Sequence, residues 1–177
     1  SELQSQLNRL DIKNRQPLSA LLIREVAERL DQIIAQCDAV IVADQVSEPE
    51  CGVMTLAVRE RLAELGQRYP GKILFADSRD RIGLYRNVTI KPNRSECLRA
   101  AGLPLVDSPD QATVEAAARK LSLQSSRPVY CTLGSDGILI ADANRVMRIR
   151  GYSITGPIDI VGAGDSTTAG IVCALCA

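Results

Sequence analysis

Near the C-terminal end of the sequence, Gly162-Ala163-Gly164-Asp165 runs straight into Ser166-Thr167-Thr168-Ala169-Gly170. Two glycines around an alanine allow a tight turn with exposed backbone N–H groups. The acid that follows stands where a helix would open. A helix N-terminus carries unsatisfied N–H groups and positive potential. Gly162, Ala163 and Gly164 can therefore cradle anionic oxygen of the kind that develops in phosphoryl transfer. At that spot Asp165 can take the proton of an attacking hydroxyl. The plainer reading is a glycine-rich turn with Asp165 as an ordinary helix-opening acid.

Three more runs carry residue types suited to such chemistry. Thr132-Leu133-Gly134-Ser135-Asp136-Gly137 places small residues after a buried stretch, where a backbone can approach phosphate or ribose closely. It is not a P-loop, because no Gly-Lys-Ser/Thr follows, and a strand-to-hairpin turn would look the same. Asn93-Arg94-Ser95-Glu96 has the spacing of a capping box. The same pair can also hold Mg²⁺ through its waters, since Mg²⁺ keeps much of its hydration shell. Asp77-Ser78-Arg79-Asp80-Arg81 sets charges of both signs after a strand, either as a solvated loop or as a substrate or phosphate contact. Asp44 closes an earlier strand and is read in the same two ways.

The elements that must position these runs follow from periodicity. Apolar residues at helical spacing predict helices over 18–36, 51–68, 94–102 and 110–125, and from Gly164 onward. Short buried runs predict strands at 38–44, 72–77, 88–91 and 128–132. A hairpin is predicted from 137–141 and 146–149, around Asn144. Leu7, Leu10 and Ile12 suggest an entering strand. Strands separated by helical crossovers predict an α/β fold, a doubly wound and mostly parallel sheet with helices on both faces. Ligands bind such sheets at the C-terminal strand ends. That rule selects Asp44, Asp77, Asn93 and the 132–134 stretch.

Composition excludes several chemistries. There is no histidine, so proton transfer falls to a carboxylate, Lys, Tyr or Cys. With 21 basic and 21 acidic residues, no basic field for nucleic acid exists, and no polybasic run or apolar span suggests a membrane. Aromatics are only 3%, so the core must be built from Leu, Ile, Val and Ala. The six widely spaced cysteines read as reduced cytoplasmic thiols, and Cys173-Ala174-Leu175-Cys176 as small apolar residues packing in a core rather than a redox pair. The 177 residues suit one domain, and both ends read as cut.

Taken along the chain, as Asp77, then Asn93 to Glu96, then Thr132 to Gly137, then Gly162 to Asp165, the four runs resemble the ribokinase-like (pfkB) family of carbohydrate kinases. The resemblance covers about Arg9 to Ala177, and Arg9-Leu10-Asp11 looks like the lead-in of the heptose-phosphate kinase branch. It implies a ribokinase-like, Rossmann-like core over 1–177 without the N-terminal sugar-binding and lid portion. It implies Asp165 as catalytic base and Gly162, Ala163 and Gly164 as anion hole. Thr132, Gly134, Ser135 and Gly137 would line the nucleotide, with Asn93 beside them. Asn93 and Glu96 would organise Mg²⁺, and Asp159 matches a position that can help bind a monovalent cation such as K⁺. Asp77 and Asp44 would belong to the substrate or phosphate loop. The heptose-kinase branch has an Asp-Tyr-x-Lys-Gly-like run; here Asp44-Gln45-Val46-Ser47-Glu48-Pro49-Glu50-Cys51-Gly52 carries no Lys.

The resulting expectation is ATP-dependent phosphorylation of a hydroxyl on a sugar or sugar-like molecule. The alternative is a non-catalytic nucleotide- or sugar-binding module. A dinucleotide oxidoreductase would need Gly-x-Gly-x-x-Gly after the first strand, where Gln45 to Glu50 stand instead. An open edge or apolar face of such a sheet would favour a homodimer.

Overall fold

The computed structural model describes residue 12 and residues 14–106, 109–153, 155–156 and 161–177. Helix α1 spans Ala20–Ile34, and the Ser19 hydroxyl accepts the Leu22 N–H to cap it. Its apolar stripe sets Ile23, Val26 and Leu30 against the core, and Ile34 is buried. Strand β1 is Ala39–Asp44 and helix α2 is Leu56–Arg68. The helix predicted from residue 51 begins only at Leu56. Two groups fix that start: the Glu50 carboxylate accepts the Leu56 N–H at 2.9 Å, and the Thr55 hydroxyl accepts that of Val58.

Strand β2 is Ile73–Ser78, β3 is Thr89–Ile90, and β4 is Val129–Thr132. Between β3 and β4 lie α3, Arg94–Ala100, and α4, Gln111–Ser125. Strands β5, Ile138–Ala141, and β6, Val146–Ile149, form the predicted hairpin, and α5 is Ala163–Cys176. The sheet order is β1-β2-β3-β4-β5-β6. The first four strands are parallel and the hairpin is antiparallel. Leu7 and Leu10 of the suggested entering strand, with the Arg9–Asp11 lead-in, lie outside the described residues; Ile12 is exposed.

Strand parity divides the molecule into two faces, because successive side chains point to opposite sides. Val42, Leu74, Ala76, Ile90, Val129, Cys131, Leu139 and Ala141 share one face and form the core with residues of α1 to α4. Successive right-handed crossovers in one direction put α2, α3 and α4 together on that face. The other face carries Ile41, Ile73, Phe75, Asp77, Thr89, Lys91, Tyr130, Ile138, Ile140, Met147 and Ile149, by the same alternation. Helix α5 packs on this second face through Thr168 and Val172. The face is only partly covered: Ile41, Met147 and Ile149 are each about half exposed.

Cys173 and Cys176 depart from the expected core packing. Both are exposed, because α5 buries only one narrow stripe. All six cysteines are free thiols.

Candidate active site

Parity decides what the strand tips offer. Asp44 follows Val40 and Val42 onto the α1–α4 face, and there its carboxylate is fully engaged. Ser78 Oγ donates to Asp44 Oδ2 at 2.7 Å and the Tyr85 hydroxyl at 3.1 Å. Arg81 binds the same carboxylate with Nε at 3.2 Å and Nη2 at 2.5 Å. The Asp44 side chain is 2% exposed. A buried carboxylate is tolerated only with such partners. Burial, with Asp44 adding to it, pushes the Tyr85 phenol far above its ordinary range. Arg81 also donates to the Val46 and Ser47 carbonyls, so this cluster ties the 44–47 loop to the chain after β2. Asp44 is thus a structural anchor and not a group facing the cleft.

Asp77 falls on the opposite face, with the open strand tips. Its Oδ2 lies 2.9 Å from Lys91 Nζ, with side chains 14% and 5% exposed. Lys91 follows Ile90 and returns to the Thr89 side of the sheet, and its N–H donates to the Ala76 carbonyl at 2.9 Å. Thr168 Oγ1 of α5 donates to Asp77 Oδ2 at 3.5 Å. The start of α5 therefore rests on a buried ion pair. Gly164 makes that approach: a Cβ there would stand 3.7 Å from Lys91 Nζ and 3.9 Å from Asp77 Oδ2.

Gly162 caps α5 at φ 77°, a left-handed conformation that favours glycine. Its carbonyl accepts the Ser166 N–H at 2.9 Å, and the Thr167 hydroxyl donates to the Ala163 carbonyl at 2.7 Å. The first amides of any helix lack intrahelical acceptors. Those of Ala163 and Gly164 open the helix here. Asp165 is exposed in the first turn. Asp159 lies outside the described residues.

Asn93 and Glu96 form a complete capping box at α3. Asn93 Oδ1 accepts the Glu96 N–H at 2.9 Å, and Glu96 Oε2 accepts the Asn93 N–H at 2.7 Å. Asn93 also bridges to Thr132 across the tips of β3 and β4. Partial burial pushes the Glu96 carboxyl above its usual range; the Asn93 N–H pulls it back, and nearby Asp77 adds to the push. Among the described residues no group of three or more Cys, His, Asp or Glu side chains could hold a metal alone. Mg²⁺ needs less, one or two carboxylates with waters and phosphate oxygens. Glu96, close enough to Asp77 to feel its charge, and Asp77 itself fit that need.

The Glu96 shift has a testable sign. A raised folded-state pKa means a contribution that is full below the unfolded value and lost as pH rises through the folded value. At pH 7 the ionised side chain is thus less favourable than a neutral one. Glu96→Gln keeps an oxygen for the Asn93 N–H. Its Tm should exceed wild type at pH 7, and the gap should close below about pH 4, the ordinary glutamate range. Thermal unfolding from pH 4 to 8 reads this. A lower Tm at pH 7 would mean that the helix N-terminus gains more from the charge than burial costs.

The Thr132–Gly137 run contains both a structural and an open glycine. Gly137 has φ 98°, and a Cβ there would overlap the Ile149 carbonyl oxygen and the Gly151 nitrogen. It is glycine because the chain after β6 crosses directly over it. Gly134 has φ 65° with open space around a notional Cβ, at the tip beside Thr132. Ser135 is exposed in the 3-10 turn Gly134–Asp136.

Asp77, Lys91, Asn93, Glu96, Thr132, Gly134 and the 162–165 turn thus gather at the C-terminal ends of β2 to β4. Lys91 and Thr168 were missing from the sequence-derived set. The available signal for Lys91 was a lysine placed where a buried strand ends, one residue out of phase with Ile90.

A profile of the pfkB family carbohydrate kinases matches residues 76–177. The chain is 31% identical to the Bifunctional protein HldE of Desulfatibacillum aliphaticivorans, over 91% of this chain and 32% of that protein. It is 28% identical to the HldE of Trichlorobacter lovleyi, over 96% and 34%. Among solved structures, a putative phosphofructokinase from Staphylococcus aureus aligns at TM-score 0.70 and 21% identity, covering 91% of this chain and 51% of that one. Phosphofructokinase-2 of Escherichia coli in complex with potassium aligns at 0.68 and 19%, covering 90% and 50%. The chain therefore spans about a third of the curated relatives and about half of the solved kinases.

Proposed function

From the premise that the chain belongs to the pfkB family of carbohydrate kinases, we propose that it carries the nucleotide-binding and catalytic portion of an enzyme that phosphorylates a hydroxyl of a sugar or sugar-like molecule with ATP. The observation that carries this reading is the seating of the Gly162–Asp165 turn over the Lys91–Asp77 pair, beside Asn93, Glu96 and Thr132.

In this reading the phosphate chain of ATP lies across the tips of β3 and β4. The Thr132–Gly134 backbone lines it, and Ser135 and Gly137 complete the loop. The γ-phosphoryl group meets the Ala163 and Gly164 amides, with Lys91 beneath as a buried cation. Asp165 accepts the proton of the acceptor hydroxyl as in-line transfer proceeds. Mg²⁺ would supply charge neutralisation between phosphate oxygens. Glu96 and Asp77, with Asn93 at hand, would hold its water shell. Positioning and charge stabilisation, more than covalent chemistry, account for the rate. A monovalent ion near Asp159 belongs to the same proposal, as do the cytoplasmic setting that fits six free thiols and a homodimer formed over the partly open sheet face.

A second reading, a binding module without turnover, is favoured by one observation: the α5 face of the sheet is partly uncovered, with Ile41 and Ile149 about half exposed. A coupled ADP-release assay over hexoses, heptoses and their monophosphates, beside Mg²⁺-ATP thermal shifts, separates the two. The kinase reading expects acceptor-dependent ADP release. Stabilisation by nucleotide with no release under any acceptor would favour the module. Neither effect would remove the kinase reading and a nucleotide-binding module, leaving a sugar-binding module to thermal shifts with the same sugars.

A further inference from the structure

On the α3 and α4 face, behind the Leu133–Gly137 loop, lies a cavity of about 180 Å³ between the β5–β6 hairpin and the first turns of α3 and α4. Its polar wall is unusual for a gap between packed elements. Arg94 donates from Nη2 to Asp136 Oδ2 at 2.9 Å. Arg148 donates from Nη1 to Gln111 Oε1 at 3.1 Å and from Nη2 to the Asp136 carbonyl at 3.4 Å. Arg94 Nε is buried and, among the described residues, has no hydrogen-bond partner. Two guanidinium groups against one carboxylate leave this wall with one net positive charge. The opposite wall is hydrocarbon, from Val114, Leu133 and Leu139.

We propose that this cavity binds a small aliphatic monocarboxylate. A buried N–H without an acceptor is costly, and a guanidinium offers Nε–H and Nη2–H as a side-on fork matched to a carboxylate. Asp136 uses only the Nη2 arm and is half exposed, so a ligand carboxylate can displace it to solvent and take both arms. One negative charge balances the wall, and a short chain covers the apolar side. Inorganic phosphate suits the charge less well and leaves the hydrocarbon wall bare. A cavity of about 180 Å³ has room for a short chain such as that of butyrate.

The test uses the purified protein without nucleotide, so its outcome is independent of the kinase reading. Sodium butyrate is titrated while the Arg Nε–H resonances and Tm are followed. Butylamine and inorganic phosphate at equal ionic strength serve as controls. Saturable movement of one Arg Nε–H signal with a rise in Tm, for butyrate alone, is expected. Arg94→Lys keeps the charge but loses the fork, and should weaken binding by about tenfold or more. Asp136→Asn removes the competing carboxylate and should tighten binding several-fold, an effect no loop damage would produce. Absence of saturation, equal binding by Arg94→Lys, or weaker binding by Asp136→Asn would overturn the proposal and leave the cavity to water.

Discussion

Asp165→Asn should lower kcat by about 10²- to 10⁴-fold, the usual contribution of a positioned general base, while nucleotide affinity stays unchanged. The substitution keeps the size of the side chain and removes only its capacity to hold a proton. Asp165 is exposed in the first turn of α5, so no packing is lost. The helix N-terminus loses one favourable charge, a matter of about 0.3–1 kcal/mol. The fold and the Ala163–Gly164 amides therefore stay in place, and in the proposed reading the γ-phosphate of ATP would meet the same cradle. Acceptor-dependent ADP release and a nucleotide titration on the same preparation measure both halves. Turnover equal to wild type would remove Asp165 from the chemistry. A parallel loss of nucleotide binding would instead assign the residue to the phosphate site.

How much of this was legible in the sequence depends on the physical signal each part gives. The Gly162–Asp165 turn was legible because its residue types state their own backbone geometry: glycine at a left-handed cap, then the residues that open a helix. Asn93 and Glu96 were legible as a capping box, because that bond pattern is purely local. The fate of Asp44 and Asp77 was not, because both close a predicted strand, 38–44 and 72–77, in the same way. What separates them is parity within the sheet, one facing the packed helices and the other the open tips. Parity could have been counted along each strand from its apolar residues, but buried parallel strands are apolar on both faces, so the alternation is faint. Gly134 and Gly137 show the same limit. Their sequence context is alike, yet only Gly137 lies under a crossing backbone contributed by residues 149–151. The exposed Cys173 and Cys176 reflect a helix whose apolar composition exceeds what it buries.

Lys91→Met should be the most destabilising single change at the site, and its partner change should separate structure from chemistry. The Lys91 side chain is 5% exposed and Asp77 14%, with Nζ and Oδ2 2.9 Å apart. Among the described residues, removing the cation leaves the Asp77 carboxylate with a long hydrogen bond from Thr168 at 3.5 Å. Breaking a buried pair in this way costs about 3–5 kcal/mol, read as a fall in denaturant midpoint at unchanged slope. Replacing both partners by apolar side chains of similar volume is often neutral, since neither desolvated charge remains. The double change Lys91→Met with Asp77→Leu should therefore recover most of the lost stability. It should not recover turnover if the ammonium also meets the transferring phosphoryl group, as its place beneath Gly164 supports. Because nucleotide phosphates would lose the same cation, the double variant should also bind ATP more weakly than wild type. Stability restored together with wild-type turnover would confine Lys91 to holding α5 on the sheet. Stability restored without turnover would place the charge of Lys91, of Asp77 or of both in the reaction, since the double change removes both.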